Sequence, residues 1–443
     1  MEMKGYSIRE VFTPTKPARI AFVNRVAVND RLVNALRTPG KQIVVYGHSG
    51  TGKTTLLVNK LHETYDWHIT TRCMKGLTFD QLILDAFDQL GPYYVSESTA
   101  SNKKTVSVEL ASSYKILSAK ISSGITYEKT EKSVRVIPPQ LTPQTLGKFL
   151  GAANACWVLE DFHKIDASEK QRLAQLMKVF VDMADDYSDL KIVAIGAVDT
   201  ARQVVEYDDE MKNRVAEIPV PLMTADEIKE IIKKGEQALN VKFSQKIVGV
   251  VARHSNGLAS VCHHLCLNMC DAAGISTTVA GKPLELTNED CEAAVKTYVD
   301  EASDSIKSAF AKALKPRRNG ENNAEIILEA LCLMGEEGAA RFDLLNRIKR
   351  TRVSYPDHRL KFNLGKLCES SYGTILRFDP NSGLYSFSDP IYRAYALARY
   401  RTPIEKTLTH DFDVSQFEEL LLAALRKSLK INAPGAVAVV KPS

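Results

Sequence analysis

The chain has 443 residues, 44% of them hydrophobic and 25% charged, with a formal net charge of +5. That length exceeds one ordinary core and predicts two or three domains, and the balance is normal for a globular protein. No apolar run approaches a membrane span, Met1-Glu2-Met3-Lys4-Gly5 has no signal-peptide pattern, and the mildly basic charge permits nucleic-acid contact without arguing for it, so a cytoplasmic location and no membrane partner are expected.

Residues 1–40 read as a lead-in. Phe22-Val23-Asn24-Arg25 precedes an amphipathic helix over residues 28–36, which Gly40 closes. Gln42-Ile43-Val44-Val45-Tyr46 then reads as a buried strand and Thr55–Leu61 as a helix. Between them Gly47-His48-Ser49-Gly50-Thr51-Gly52-Lys53-Thr54 fits G-x-x-x-x-G-K-[ST] at every fixed position. Glycines let consecutive N–H groups curl toward an anion, and the following helix N-terminus adds partial positive charge. The run Gly47–Thr54, with Thr55 beside it, is therefore the expected nucleotide site. Lys53 is expected on the β- and γ-phosphates and the Thr54 hydroxyl on Mg²⁺.

Trp67–Thr71 is a short strand, and residues 79–90 form a helix with apolar 3/4 spacing that Gly91-Pro92 stops. Residues 96–138 break the rhythm. They are Ser-, Thr- and Lys-rich with strand alternation, and predict one or two inserted hairpins whose lysines are either a partner surface or a guard against aggregation. Strands at Cys156–Leu159, Ile192–Ile195 and Ala216–Val220 follow, alternating with helices, which predicts a parallel, three-layer α/β core.

Cys156-Trp157-Val158-Leu159-Glu160-Asp161 is an apolar strand ending in two carboxylates, the arrangement Mg²⁺-nucleotide hydrolysis needs. Glu160 takes the metal role and Asp161 the base role by position. The usual order is Asp then Glu or Asp, so the two roles are open to exchange.

After Pro221 the chain turns helical. Thr224-Ala225-Asp226-Glu227 is a capping-box pattern, and further helices are expected through residues 243–273 and 288–312. The eight cysteines include no C-x-x-C pair, as in a reduced compartment. Cys262, Cys266 and Cys270, beside His263 and His264, share one helical face and read as core rather than as a metal site. Residues 315–323 form a polar linker. Three helices and a hairpin, Thr374–Phe378 and Leu384–Phe387 about a turn at 379–383, then suggest a winged helix over 324–400. A helix near Phe417–Leu425 and a frayed end complete residues 401–443. The expected domains are an ATPase core over 1–221, a helical lid over 222–314 and the winged-helix module.

With both motifs in view, the chain resembles the AAA+ and STAND-type P-loop ATPases, in the subgroup of origin-recognition initiators, transposition ATP-binding subunits and prokaryotic STAND switches. The resemblance covers about residues 20–300, and more weakly 324–400. It implies an AAA+-like sandwich with a helical lid, ATP or ADP with Mg²⁺ as ligands, and ATP hydrolysis. It places Phe22–Arg25 as the adenine-side box and Asp199 or Thr200 as a γ-phosphate sensor. It makes Arg214 a candidate arginine finger, completed only when subunits stack as a homo-oligomer; a surface ion pair is the competing reading. At the lid position of the usual second sensor arginine stand Leu258-Ala259-Ser260-Val261, with His254 and His263 as polar neighbours, which implies slow turnover. The resemblance also makes Asp389–Tyr395 the end of a module that packs back on the nucleotide domain. No effector domain is recognised, so a separate partner protein is expected. Three settings follow: a nucleotide-dependent oligomerisation switch, as in an anti-phage complex; a DNA loader or transposition regulator binding duplex through the basic winged helix; or a nucleotide-stabilised scaffold.

Overall fold

The computed structural model describes residues 5–65, 67–90, 93–95, 133–135, 142–197, 209–315 and 322–400. Most of the expected insertion, the sensor candidates Asp199 and Thr200, and the 401–443 tail lie outside the described residues.

Five parallel strands form the central sheet: β1 (Gln42–Tyr46), β2 (Trp67–Arg72), β5 (Ala155–Glu160), β6 (Lys191–Gly196) and β7 (Val215–Pro219). Their order is β2-β5-β6-β1-β7, so one strand separates β1 from the strand that ends in Glu160. Two short strands, β3 (Tyr93–Val95) and β4 (Ser133–Arg135), pair antiparallel outside this sheet.

Side chains alternate across a strand, so each strand feeds two faces. Val44, Trp157, Leu159, Ile192 and Ala194 face one way, against α4 (Phe79–Leu90), α5 (Pro143–Ala152) and α6 (Ala167–Asp182). Ile43, Val45, Cys156, Val158, Val193 and Ile195 face the other, against α2 (Val26–Arg37) and α3 (Lys53–Thr64). This is the three-layer α/β sandwich expected from the strand–helix alternation. Each fully buried Val, Leu or Ile on these faces contributes about 1.5–3 kcal/mol. Buried Trp157 also satisfies its indole N–H, which donates to Thr71 Oγ1 at 3.0 Å.

Beyond β7 lie α7 (Ala225–Leu239), α8 (Gln245–Ser255), α9 (Ala259–Ala272), α10 (Asn288–Asp300) and α11 (Asp304–Leu314). The capping box that opens α7 forms as expected, with Thr224 Oγ1 accepting from Glu227 N and Glu227 Oε2 accepting from Thr224 N. Strands β8 (Val241–Lys242) and β9 (Leu284–Glu285) pair beside these helices. Cys262, Cys266, Cys270 and Cys291 are buried between α9 and α10, and burial pushes the thiols of Cys266, Cys270 and Cys291 up.

The last part holds α12 (Asn323–Cys332), β10 (Ala339–Ala340), α13 (Arg341–Lys349), α14 (Asp357–Leu367), β11 (Leu376–Asp379), β12 (Leu384–Phe387) and α15 (Pro390–Tyr400). The expected three helices and hairpin are present in that order. β10 adds a third strand, and the sheet runs β10-β12-β11.

The first 25 residues do more than lead in. Helix α1 (Ile8–Val11) buries Ile8 and Val11, and Phe12 follows them into the core. Ile8 N–H donates to Ser276 O at 3.0 Å, which ties the segment to the end of α9. Phe12 occupies the place where a side chain on α7 would stand, so residue 235 is glycine: a Cβ there would collide with the Phe12 ring.

Candidate functional site

The motif after β1 becomes a tight loop closed by α3, whose N-cap is Gly52. Glycine is required at Gly47 and Gly50. Both have positive φ; a Cβ at Gly47 would collide with the Val220 carbonyl oxygen, and one at Gly50 with Ser260 Oγ. Ser260, in the first turn of α9, also donates its N–H to Gly50 O at 3.3 Å. The helical segment thus rests directly on the loop.

Lys53 Nζ donates to Gly47 O at 2.9 Å and His48 O at 2.7 Å, curling back over the loop. Burial pushes its ammonium down to about 8, against the opposing pull of Asp161 and Asp389. Burial likewise lowers His48, with Asp389 acting against it.

A cavity of about 890 Å³ opens over this loop, within the usual range for small-molecule sites. Ser49 through Thr55 line it, together with Glu160 and Asp161 from the end of β5, and Ile195 and Gly196 from the end of β6. Parallel sheets place ligands at such carboxyl ends. Thr54, Glu160 and Asp161 supply only hard oxygen donors, the set that suits Mg²⁺. Glu160 Oε2 pairs with Arg72 Nε at 3.5 Å, and Asp161 Oδ2 with Lys164 Nζ at 2.6 Å. Asp161 holds a left-handed φ of 56°, a conformation that Asp and Asn tolerate better than other side chains.

The lead-in closes another wall. Thr13, Ala18, Ala21, Phe22, Val23 and Arg25 line the cavity. Thr55 Oγ1 accepts from Ala18 N at 3.4 Å, and Asn59 Nδ2 donates to Ala18 O at 3.1 Å. Arg25 is 8% exposed and gathers the start of α7: Nε donates to Glu227 Oε1 at 3.1 Å, Nη1 to Pro221 O at 3.0 Å and Nη2 to Leu222 O at 3.2 Å. The helical segment contributes Met223, Ile231, Ala259, Ser260 and His263, and Asp389 arrives from the C-terminal part.

Among solved structures, the Walker-type ATPase PABY2304 of Pyrococcus abyssi matches with a TM-score of 0.50 at 15% identity, over 87% of this chain and 98% of that one. The chain has an AAA+-like P-loop NTPase fold. The Aeropyrum pernix ORC2 protein in ADPNP–ADP complexes matches at a TM-score of 0.46 and 12% identity, over 89% of this chain and 99% of that one. Cdc6p from Pyrobaculum aerophilum matches at 0.42 and 15%, over 90% and 98%. No protein-family model and no curated protein matches the sequence.

Within this fold, the loop residues from Ser49 to Thr55 share one cavity with Glu160 and Asp161. Arg214 stands elsewhere. It precedes β7, its carbonyl accepts from Gln42 N at 2.9 Å, and its guanidinium pairs with Asp182 at 3.5 Å. His254 does not line the cavity; its Nδ1 contacts Val250 O at 2.8 Å. Sequence reasoning did not single out Thr13, Arg72 or the place of Asp389 in the cavity, and weighed His263 only as a stand-in for the absent lid arginine. Each reaches the cavity through long-range packing that leaves no local pattern. Among the described residues no helix is long and apolar enough to cross a membrane.

Proposed function

We propose that the chain binds ATP with Mg²⁺ in this cavity, hydrolyses it slowly, and uses the bound nucleotide to switch its own assembly for a separate partner protein. The observation that carries this reading is that one cavity is walled by the loop, the helical segment and the C-terminal part, through Lys53, Ser260 and Asp389. A ligand that changes charge there changes the contacts of all three.

In this reading Gly47, His48, Ser49, Gly50, Thr51 and Gly52 wrap the phosphates with their backbone. Lys53 neutralises the β- and γ-phosphates, and Thr55 lines the cavity beside them. Thr54 and Glu160 would hold Mg²⁺, which when bound offsets charge on the phosphate oxygens. Asp161 accepts a proton from the attacking water as its oxygen bonds to the γ-phosphorus and the bond to the β-phosphate oxygen breaks, giving ADP and phosphate. Asp199 senses the γ-phosphate. Arg214 of a neighbouring copy stabilises the transferring group. No arginine stands among Leu258, Ala259, Ser260 and Val261, which favours slow turnover over a fast motor.

The helices over 222–314 then act as the lid and residues 324–400 as a winged helix reporting nucleotide state. The test is mass by light scattering in ADP and in a non-hydrolysable ATP analogue, for the native chain and Lys53→Ala. An analogue-dependent rise in mass that Lys53→Ala loses supports the switch, and equal mass in both nucleotides sinks it.

One observation favours the second reading, contact with duplex DNA. Arg352, Arg359 and Lys361 are exposed in the stretch that also exposes Val353 and Phe362, and Lys366 Nζ lies 3.8 Å from the Phe362 ring centroid. Arginine and lysine side chains neutralise the phosphates of a duplex backbone. DNA binding that ignores salt, or no binding at all, removes this reading.

A further inference from the structure

A nucleoside di- or triphosphate brings several negative charges into the cavity, and most cations that line it already have partners. Arg25 bonds Glu227 and two backbone carbonyls, Arg72 pairs with Glu160, Lys164 pairs with Asp161, and Lys53 donates to Gly47 O and His48 O. Lys16 differs from these. It lines the cavity from the lead-in, it is exposed, and it has no hydrogen-bond or ion-pair partner among the described residues. The helical segment contributes no lysine or arginine to the lining. Its one basic side chain there, His263, is neutral at physiological pH, because burial pushes the imidazole down to about 4.

The backbone around Lys16 is held at both ends. On one side Thr13 N–H donates to His263 Nδ1 of α9 at 3.2 Å. On the other, Ala18 N–H donates to Thr55 Oγ1 at 3.4 Å and Ala18 O accepts from Asn59 Nδ2 at 3.1 Å, both on α3. Between these anchors Pro14 and Pro17 fix their own φ, and Pro17 also restricts Lys16, the residue before it, to extended backbone. The ammonium is thus carried on a short, stiff bridge from α9 to α3. Two residues of chain keep the Lys16 Cα within about 7 Å of the Ala18 Cα. Ala18 touches Thr55, the residue after the phosphate motif, whereas Glu160 and Asp161 enter from the end of β5.

We infer that Lys16 pairs with the α- and β-phosphates of the bound nucleotide from the lead-in side, and that it retains ADP after hydrolysis. The terminal phosphate belongs with Mg²⁺ and the two carboxylates in the reading above, which leaves the phosphates nearer Thr55 to Lys16. Those phosphates are common to ATP and ADP. A cation on them binds both nucleotides equally, so it adds affinity without speeding the chemical step. Its ammonium on anionic oxygen is a charge-assisted hydrogen bond, stronger than a neutral one. Departure of the product is then the step that Lys16 slows, a second cause of slow turnover beside the absent lid arginine.

This inference rests on the nucleotide reading, and the experiment separates the two. Release of a fluorescent ADP into excess unlabelled ADP is followed by stopped flow on the full chain, for the native protein, Lys16→Gln, Lys16→Arg and Lys53→Ala. Calorimetry gives the affinities of the same proteins for ADP and for a non-hydrolysable ATP analogue. Lys16→Gln should release ADP about tenfold faster and weaken both nucleotides by the same factor, about tenfold. Lys16→Arg keeps the charge and should stay within about threefold of native. Lys16 is exposed and unpartnered, so neither change should alter the melting temperature. Native release and affinity in Lys16→Gln, while Lys53→Ala abolishes binding, overturn the role of Lys16 alone. A loss confined to the ATP analogue puts the lysine on the terminal phosphate and overturns it as well. No binding of either nucleotide by the native chain overturns the nucleotide reading, and this inference with it.

Discussion

Asn256 Nδ2 donates to the Pro390 carbonyl at 2.9 Å, joining the C-cap of α8 to the first residue of α15 across 134 positions of chain. Its Oδ1 accepts from Arg393 Nη1, and Arg393 Nη2 donates on to Met334 O at 3.0 Å. This amide joins the helical segment to the C-terminal part alongside the ring contact of Phe310 with Tyr395, and Asp389, the residue before Pro390, lines the cavity beside that junction. Asn256 has a φ of 48°, which glycine adopts freely. Asn256→Gly thus deletes the two side-chain bonds and leaves the backbone in place. It is expected to cost about 1–3 kcal/mol of stability in urea titration, because Arg393 keeps a buried, unpaired donor. Release of a fluorescent ADP should quicken several-fold. Native release rates in the variant would show that this junction does not govern the nucleotide.

Lys53 predicts a pH dependence whose sign is set by burial. Its pKa is lowered from 10.5 to about 8, so between those values the unfolded chain binds more protons than the folded one. The destabilising effect of burying this ammonium is full below pH 8 and is relieved as pH rises toward 10.5. A bound phosphate favours the charged form and pulls the pKa back up. Nucleotide binding should then take up a proton above pH 8, and affinity should fall by up to about tenfold per pH unit. Lys53→Arg stays protonated throughout and should bind more weakly with a flat profile. Lys191 is also lowered to about 8, but it donates to Thr38 O before the start of β1, so it affects stability and not affinity. Matching slopes for the native chain and Lys53→Arg would refute the assignment.

The two carboxylates at the end of β5 divide by environment. Glu160 faces Arg72 across the β2–β5 pair, and Asp161 turns out of the strand with a left-handed φ. Because Asn tolerates that conformation, Asp161→Asn removes the proposed base without breaking the turn. It should lower steady-state ATP hydrolysis by about 10²–10⁴-fold while ATP affinity stays within about threefold. Glu160→Gln should instead raise the Mg²⁺ concentration needed for half-maximal turnover. The reverse pattern would exchange the two roles, and no effect from either change would remove both residues from the chemistry.

The parts of the molecule legible in sequence are those whose physics is local. Phe79–Leu90 announces its apolar stripe and its Gly91-Pro92 stop, and α4 has those bounds. The unbroken apolar run Ile43-Val44-Val45 reads as a buried strand, and those residues divide between the two cores. The loop and the Glu160-Asp161 pair could be found because each is a short pattern at fixed spacing. Asp389 could not be placed so. Only the resemblance makes Asp389–Tyr395 part of a module that packs back on the nucleotide domain; the residues themselves carry no pattern that singles out Asp389, which lines the cavity where α15 docks on Asn256. Thr13 and His263 are 250 residues apart, and neither carries a local signature of the hydrogen bond between them.

Arg214 tests whether the site is finished by a second copy. Within one chain its partner is Asp182, a 3.5 Å pair with the arginine side chain 39% exposed, and such pairs contribute about 0–1 kcal/mol. It stands at the start of β7, while Pro219 at the far end pairs with Tyr46, the residue before Gly47. Five residues of strand put it about 16 Å from its own loop. An effect of Arg214 on hydrolysis must therefore act across a subunit boundary. Arg214→Ala should keep its melting temperature within about 2–4 °C and lower ATP turnover by about 10³-fold or more. Mixed with an equal amount of Lys53→Ala, itself inactive, it should regain about a quarter of native activity, because random head-to-tail contacts join an intact loop to an intact arginine at that frequency. Mixtures as inactive as their components, or an Arg214→Ala variant with native turnover, would leave Arg214 as a surface ion pair and nothing more.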